Sequence, residues 1–334
     1  MLDIVTLLLS LGVILLGAEV FTNGVEWLGK KLKLGEGAVG SILAAVGTAL
    51  PESMIPVVAI LLGDGHAGEE VGIGAILGAP FMLSTLAFFI TGLAVVFCRG
   101  RRTDYPRMRV NTRVMGRDLR FFLIVYAVAI LAALLQKHIW KQAVAAGLVV
   151  AYILYAYQTV AAENGQNEEE ELHPLYLARR SDNPALGIVL FQVILALALI
   201  VAGARVFVTG VEHLSELLGV PAFVLALIIA PIATELPEKF NSLIWIGRGK
   251  DTLALGNITG AMVFQSSLLP ALGITMTRWE LTTGAMVSAA LALLSAGLVF
   301  WQISHKKYLT PYILLSGGVF YGVFILLVFR GIIH

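Results

Sequence analysis

Thr48-Ala49-Leu50-Pro51-Glu52 recurs, with one substitution, as Thr234-Glu235-Leu236-Pro237-Glu238. The offset is 186 residues. With no gap, it also lays Gly17-Ala18-Glu19-Val20-Phe21-Thr22-Asn23-Gly24-Val25-Glu26-Trp27-Leu28 on Gly203-Ala204-Arg205-Val206-Phe207-Val208-Thr209-Gly210-Val211-Glu212-His213-Leu214, and eight of these twelve pairs are identical. After a four-residue shortening of the next loop, Gly74-Ala75-Ile76-Leu77-Gly78-Ala79 falls on Gly256-Asn257-Ile258-Thr259-Gly260-Ala261. Agreement of this density is an internal duplication.

Composition decides the medium around the repeat. With 334 residues, 58% hydrophobic and 13% charged, and a mean hydropathy of +0.87, the chain is too apolar for a soluble domain and belongs in a bilayer. A balance of 23 basic against 22 acidic residues gives no field for a polyanion, so nucleic acid is not an expected partner. The single Cys98 excludes intramolecular disulfides and thiolate metal clusters. The stretch after Met1 begins with Asp3 instead of a basic region and stays apolar past Val20, which reads as a first span and not a cleavable signal.

A spanning helix needs roughly 20 mostly apolar residues. Such stretches fall at about 4–29, 37–62, 71–98, 119–136 and 140–161, and again at about 185–211, 221–246, 253–276, 279–302 and 309–329. Lys30, Lys31 and Lys33, the run from Arg99 to Arg120, Arg179 and Arg180, Arg248 and Lys250, and Lys306 and Lys307 all follow odd-numbered spans. The segments Asp64 to Glu70 and Glu212 to Gly219, read as even-numbered loops, hold no Lys or Arg. Retention of positive loops in the cytoplasm then predicts both termini outside, and the membrane is expected to be a prokaryotic inner (plasma) one. The Arg-rich run is read as topogenic, with anionic-lipid contact as its lesser possibility. Five spans per half is an odd number, so the second half enters the membrane from the opposite side. The expected fold is all-α integral membrane, with about ten transmembrane helices in two inverted five-helix repeats, 1–162 and 185–334, and broken helices at a central ion site. An acidic linker, 163–184, containing Glu168 to Glu171, joins them.

Chemistry concentrates at the two prolines. A proline within a helix removes the donor to the carbonyl four residues earlier, so Pro51 frees Gly47 and Pro237 frees Ala233. Free carbonyls in hydrocarbon demand protein, water or an ion. Thr48 and Glu52, and Thr234 and Glu238, stand one turn apart on the same face. Each half thus gathers carbonyl, hydroxyl and carboxylate oxygens, hard ligands suited to sodium or calcium. An ionised carboxylate at mid-membrane costs about 3 kcal/mol, so two at equivalent positions imply a compensating cation. Glu235 adds a carboxylate where the first half has Ala49, and Asn257 and Gln265 are the polar residues on the same face of the eighth span; Ser84 and Thr85 are the nearest in the third. The pairs Gly74 with Gly78 and Gly256 with Gly260 predict close helix contact. Glu19 and Arg205, at equivalent positions, are candidates for an interhelical pair. No His-Glu-x-x-His, Gly-x-Ser-Gly or intramembrane aspartate pair occurs, so no enzyme and no cofactor are expected.

These residues resemble the alpha repeats of the cation/calcium exchanger superfamily, in its sodium/calcium exchanger branch. In that family each repeat looks like Gly-Thr-Ser-x-Pro-Glu followed by Gly-Asn-x-x-Gly-Ser-Asn-x-x-Asn or Asp. The resemblance is strongest at 17–84 and 203–267 and implies that Thr48, Glu52, Thr234 and Glu238 coordinate calcium. Departures deplete the family's hydroxyl and amide ligands: Ala75, Ala79, Pro80 and Leu83 in the opening repeat, and Ala261, Met262 and Gln265 in the closing one. Ala49 and Glu235 also replace the usual serine. The resemblance implies exchange of small inorganic cations, calcium against sodium. Neighbouring buried carboxylates raise one another's pKa and can trade a metal for protons, which keeps calcium/proton or sodium/proton exchange open. A cation-binding membrane sensor without transport is the third reading.

Overall fold

The protein is described by a computed structural model over residues 2–32, 44–162, 173–181 and 183–333. Within its helices the side chains at 2–3, 44–51, 160–162, 233 and 236–241 lie outside the description. Ten long helices run through the described residues: α1 (Leu2–Lys31), α2 (Ala44–Leu62), α3 (Gly65–Phe97), α4 (Thr112–Leu131), α5 (His138–Ala162), α6 (Leu186–Leu218), α7 (Ala222–Gly247), α8 (Asp251–Met276), α9 (Thr283–Lys306) and α10 (Pro311–Phe329). They match the ten apolar stretches in order. No strand occurs among the described residues, only an isolated bridge between Met108 and Leu309. Among the described residues seven helices are long and apolar enough to cross a membrane, and the described parts of α2 and α7 add two shorter apolar stretches, Glu52–Leu62 and Ala222–Ile232. The protein is an integral membrane protein, and its outward faces agree: Leu8, Leu9, Leu16, Phe191 and Ile194 are all at least 60% exposed.

Local chemistry moves several helix ends from their expected places. α4 begins at Thr112, within the Arg-rich run, because the Asn111 side chain accepts from the Arg113 and Val114 amides at 3.2 Å each. α6 continues to Leu218, so Glu212 and His213, read as loop, are helical. Glu212 is only 8% exposed and accepts the Asp64 amide at 3.3 Å, which satisfies a carboxylate that composition alone assigns to solvent. α9 ends at Lys306 with Lys307 in the left-handed region at φ 58°, a common way to stop a helix. Inside α3, Leu83–Ala87 widens into a π-turn. There the Ser84 hydroxyl donates to the Pro80 carbonyl at 2.7 Å and the Thr85 hydroxyl to that of Phe81, so these two hydroxyls satisfy their own helix.

The chain packs as two compact units, Met1–Glu69 with Gln158–Leu218, and Glu70–Tyr157 with Gly219–His334, and each draws on both sequence halves. In the first, the equivalent helices α1 and α6 lie side by side. A Cβ at Gly17 would stand 2.9 Å from Ile200, and one at Gly203 would stand 2.9 Å from Ile14. One at Gly24 would stand 2.9 Å from Val193, and one at Gly210 would stand 2.8 Å from Leu7. Subtracting the 186-residue offset turns Ile200 into Ile14, Gly203 into Gly17, Val193 into Leu7 and Gly210 into Gly24, so each contact is the mirror of another. One residue number rises as its partner's falls: 17 with 200, 24 with 193. Equivalent helices therefore run antiparallel about a local pseudo-two-fold axis, which is the geometric signature of an inverted repeat.

Residues 173–181, the latter part of the expected linker, dock on this unit. The Trp27 indole and the Asn23 amide donate to the His173 carbonyl at 2.9 and 3.3 Å, while Gln192, fully buried, donates to Val20 and Asn23 and accepts from the Leu177 amide. Leu175 is buried against Trp27 and Val189. Glu19 accepts from the Tyr176 hydroxyl, which pushes that phenol's pKa up. Both Glu19 and Arg205 are exposed and no ion pair joins them, so the equivalence of their positions does not make an interhelical bridge. Glu168 to Glu171 lie outside the described residues.

The second unit is tied by buried polar groups. Asp118, 3% exposed, accepts from Tyr155 at 2.6 Å, from Thr259 at 2.9 Å and from Arg117 at 3.2 Å, joining α4, α5 and α8. Asp251, 1% exposed at the start of α8, takes both terminal nitrogens of Arg102 at 2.8 Å and the Arg109 amide at 2.9 Å. Gly74 and Gly78 of α3 sit directly on α7: a Cβ there would come within 2.5 Å of the Phe223 carbonyl and 2.3 Å of that of Leu227. Pro231 withholds the amide that would otherwise serve the Leu227 carbonyl. The close glycine backbone covers that freed oxygen. At Gly256 and Gly260 nothing among the described residues lies within 4 Å of such a Cβ, so among these residues close contact is met at Gly74 and Gly78.

Candidate functional site

Both Thr-x-Leu-Pro-Glu segments lie within helices. Helical backbone continues through Pro51 in α2 and through Pro237 in α7, so the expected interruption takes the form of a missing amide donor inside an unbroken helical path. Of the expected ligands, Thr48 and Glu238 have side chains outside the described set, and the backbone of both, like that of Gly47 and Ala233, is helical. Glu52 is half-buried on α2.

On α7 the picture is more complete. Thr234, 4% exposed, donates its hydroxyl back to the Ala230 carbonyl at 3.1 Å, which leaves its oxygen lone pairs for an incoming cation. Glu235 and Gln265 are both fully buried, and the Gln265 amide donates to the Glu235 carboxylate. This contact joins α7 to α8 and brings together two residues singled out from the sequence. The Gln265 carbonyl oxygen has no hydrogen-bond partner among the described residues, so a buried acceptor stands beside a buried carboxylate. Asn257, half-buried, lies two turns earlier on α8.

Ser242 was missed. It is 1% exposed, its hydroxyl has no hydrogen-bond partner among the described residues, and it follows Glu238 by four residues, one turn along the same face of α7. That spacing is the signal that marks it. No cluster of three or more His, Cys, Asp or Glu side chains occurs among the described residues. The polar groups here are amide, hydroxyl and carboxylate oxygens, hard donors of the type that alkali and alkaline-earth ions take.

A helical membrane protein of two inverted repeats, with oxygen donors on proline-bearing helices, has the architecture of an ion exchanger. The family model described as sodium/calcium exchanger protein matches residues 2–160 and 188–330, and the chain belongs to that family. A similar sequence is the sodium/calcium exchanger MaX1 of Methanosarcina acetivorans, 24% identical over 329 residues that cover 90% of this chain and 93% of that protein. The H+/Ca2+ exchanger CAX has a similar structure, with a TM-score of 0.72 at 16% identity over 97% of this chain and 81% of that one. The sodium-calcium exchanger NCX_Mj aligns over 98% and 97% with a TM-score of 0.53 at 20% identity. These structural likenesses are of fold.

Proposed function

We propose that the chain is a secondary active cation antiporter that exchanges calcium for sodium by alternating access. The observation that carries this reading is the duplicated Thr-x-Leu-Pro-Glu segment, one per inverted half, in a member of the exchanger family. Glu52 and Thr48 with the Gly47 carbonyl, and Glu238 and Thr234 with the Ala233 carbonyl, are the proposed cation ligands. Glu235, Asn257 and Gln265 complete the set. Two membrane-embedded carboxylates match the charge of one calcium ion, which offsets a cost of about 3 kcal/mol for each. The distribution of Lys and Arg supports both termini outside, and the archaeal and bacterial relatives support a prokaryotic inner (plasma) membrane.

Purified protein in liposomes is expected to accumulate radioactive calcium when preloaded with sodium, and Glu52→Gln or Glu238→Gln to stop that uptake. Undiminished uptake in both variants removes the site assignment. A second reading, exchange against protons, is motivated by Glu235, a fully buried carboxyl group on a spanning helix with no counterpart in the first half, where the equivalent residue is Ala49. Calcium uptake into acid-loaded, sodium-free liposomes identifies that coupling.

A further inference from the structure

The Arg-rich run does more in this structure than mark a membrane side. A cavity of about 370 Å³ opens between the loop after α3 and the turn from α7 to α8, lined by Arg101, Arg102, Arg107, Arg109 and Arg248 together with Cys98. Its acidic residues are Asp104 and Asp251, so five positive charges meet two negative ones and the lining is three charges positive. Arg102 is committed to Asp251, and Arg109 to Asp104 at 2.7 Å. Arg107 stacks on the Tyr308 ring at 4.7 Å. Arg101 and Arg248 are exposed and enter no ion pair among the described residues.

Topogenic charge needs only to lie near a span end, and splayed, mobile arginines would serve. Here the loop is fastened. The Arg109 amide bonds Asp251, the Asn111 amide bonds the Thr252 hydroxyl at 3.1 Å, that hydroxyl donates to the Arg109 carbonyl at 3.0 Å, and the Met108 amide bonds the Leu309 carbonyl at 2.9 Å. A preformed concave site with unspent guanidinium groups is built for a multivalent oxyanion, because the planar fork of Arg matches phosphate oxygens two at a time. The volume falls in the range of small-molecule sites and exceeds what one bare ion fills.

We infer that this pocket binds a phosphate-bearing anion, held chiefly by Arg101 and Arg248, that clamps the loop after α3 to the start of α8. Because α8 carries Asn257 and Gln265, the ligand is placed to regulate the exchanger, a role that rests on the function proposed above; the binding does not. The phosphate has two sources, a soluble phosphate compound or an anionic lipid headgroup.

Cys98 is the sole cysteine and lines the cavity, so it reports occupancy directly. The rate of its alkylation by the neutral reagent N-ethylmaleimide is measured on the whole protein in two arms. One uses neutral detergent with inorganic phosphate, against chloride at equal ionic strength. The other uses nanodiscs of phosphatidylcholine alone or with phosphatidylglycerol. At a ligand concentration ten times its dissociation constant the rate falls about tenfold. Slowing by free phosphate assigns a soluble ligand, and slowing only in phosphatidylglycerol discs assigns a lipid. In either case the double variant Arg101→Gln, Arg248→Gln restores the fast rate while its thermal midpoint stays unchanged. No slowing in either arm, or equal slowing in the double variant, overturns the proposal. Calcium transport is not part of the readout, so failure here and failure of the exchanger reading are told apart.

Discussion

Replacing Gly78 with alanine tests how α3 is seated on α7, the helix that carries the proposed ligands Thr234, Glu235 and Glu238. Its Cβ would stand 2.3 Å from the Leu227 carbonyl oxygen and 2.8 Å from the Pro231 ring, while ordinary contact begins at 3.4 Å, so about 1.1 Å (3.4 − 2.3) must be recovered. The nearest atom is backbone, and no rotamer change relieves it. Either α3 lifts by about 1 Å, uncovering the carbonyl that Pro231 leaves without a donor, or α7 bends one turn before Thr234. Overpacking of this kind costs about 1–3 kcal/mol, and the lost Cα–H contact to the freed oxygen adds about 0.5–1 kcal/mol. Alanine also gains about 1 kcal/mol of helix propensity over glycine, so the proper reference is Gly147→Ala on α5, where nothing lies within 4 Å of the new methyl. The two variants share the propensity gain, and their difference isolates the clash. Unfolding in mixed micelles should put Gly78→Ala below wild type and Gly147→Ala at or above it, with calcium uptake reduced only in the former. Equal stability of the two variants would refute the seating described here.

Glu235→Gln tests the place of this carboxylate among the proposed cation ligands: it should weaken calcium uptake under sodium loading and acid loading alike, and uptake unchanged under both would remove Glu235 from the set. Asp251→Asn leaves Arg102, 10% exposed, without its counter-charge, and breaking a buried pair in this way costs about 3–5 kcal/mol; a denaturation midpoint equal to wild type would show that the pair contributes nothing. Because the variant keeps the shape of the side chain, its effect on transport at low temperature should be smaller than its effect on stability.

The place of each helix along the chain was legible in the sequence, and direction around each helix axis was not. Apolar runs of about 20 residues mark where a chain crosses, which is why all ten helices appear where expected. The odd count per half gave the inversion that the Gly17–Ile200 and Gly203–Ile14 contacts then display. A hydrophobic run says little about which face meets which neighbour when lipid is as apolar as protein. Asp118, inside an Arg-rich amphipathic stretch, reads as surface charge, and only the approach of Tyr155 and Thr259 from two other helices makes it internal. Glu212 read as loop for the same reason. Of the candidate site, Glu235 and Gln265 were singled out separately by polarity within their spans, but their mutual contact depends on the rotation of α7 against α8. Ser242 went unnoticed because a serine in a span is commonplace, and its distinguishing property is burial without a partner.

The mirrored glycine contacts of α1 and α6 bear on how such a chain came to exist. A patch in which residue 17 meets the equivalent of 14, and 24 the equivalent of 7, is complementary to its own copy turned upside down. A lone half-length polypeptide with weak topological bias, inserted both ways into one membrane, would already present this surface to itself. Joining two such copies needs only a connector to fix one in each orientation, and the docked segment at 173–181 lies between the two halves of the repeat.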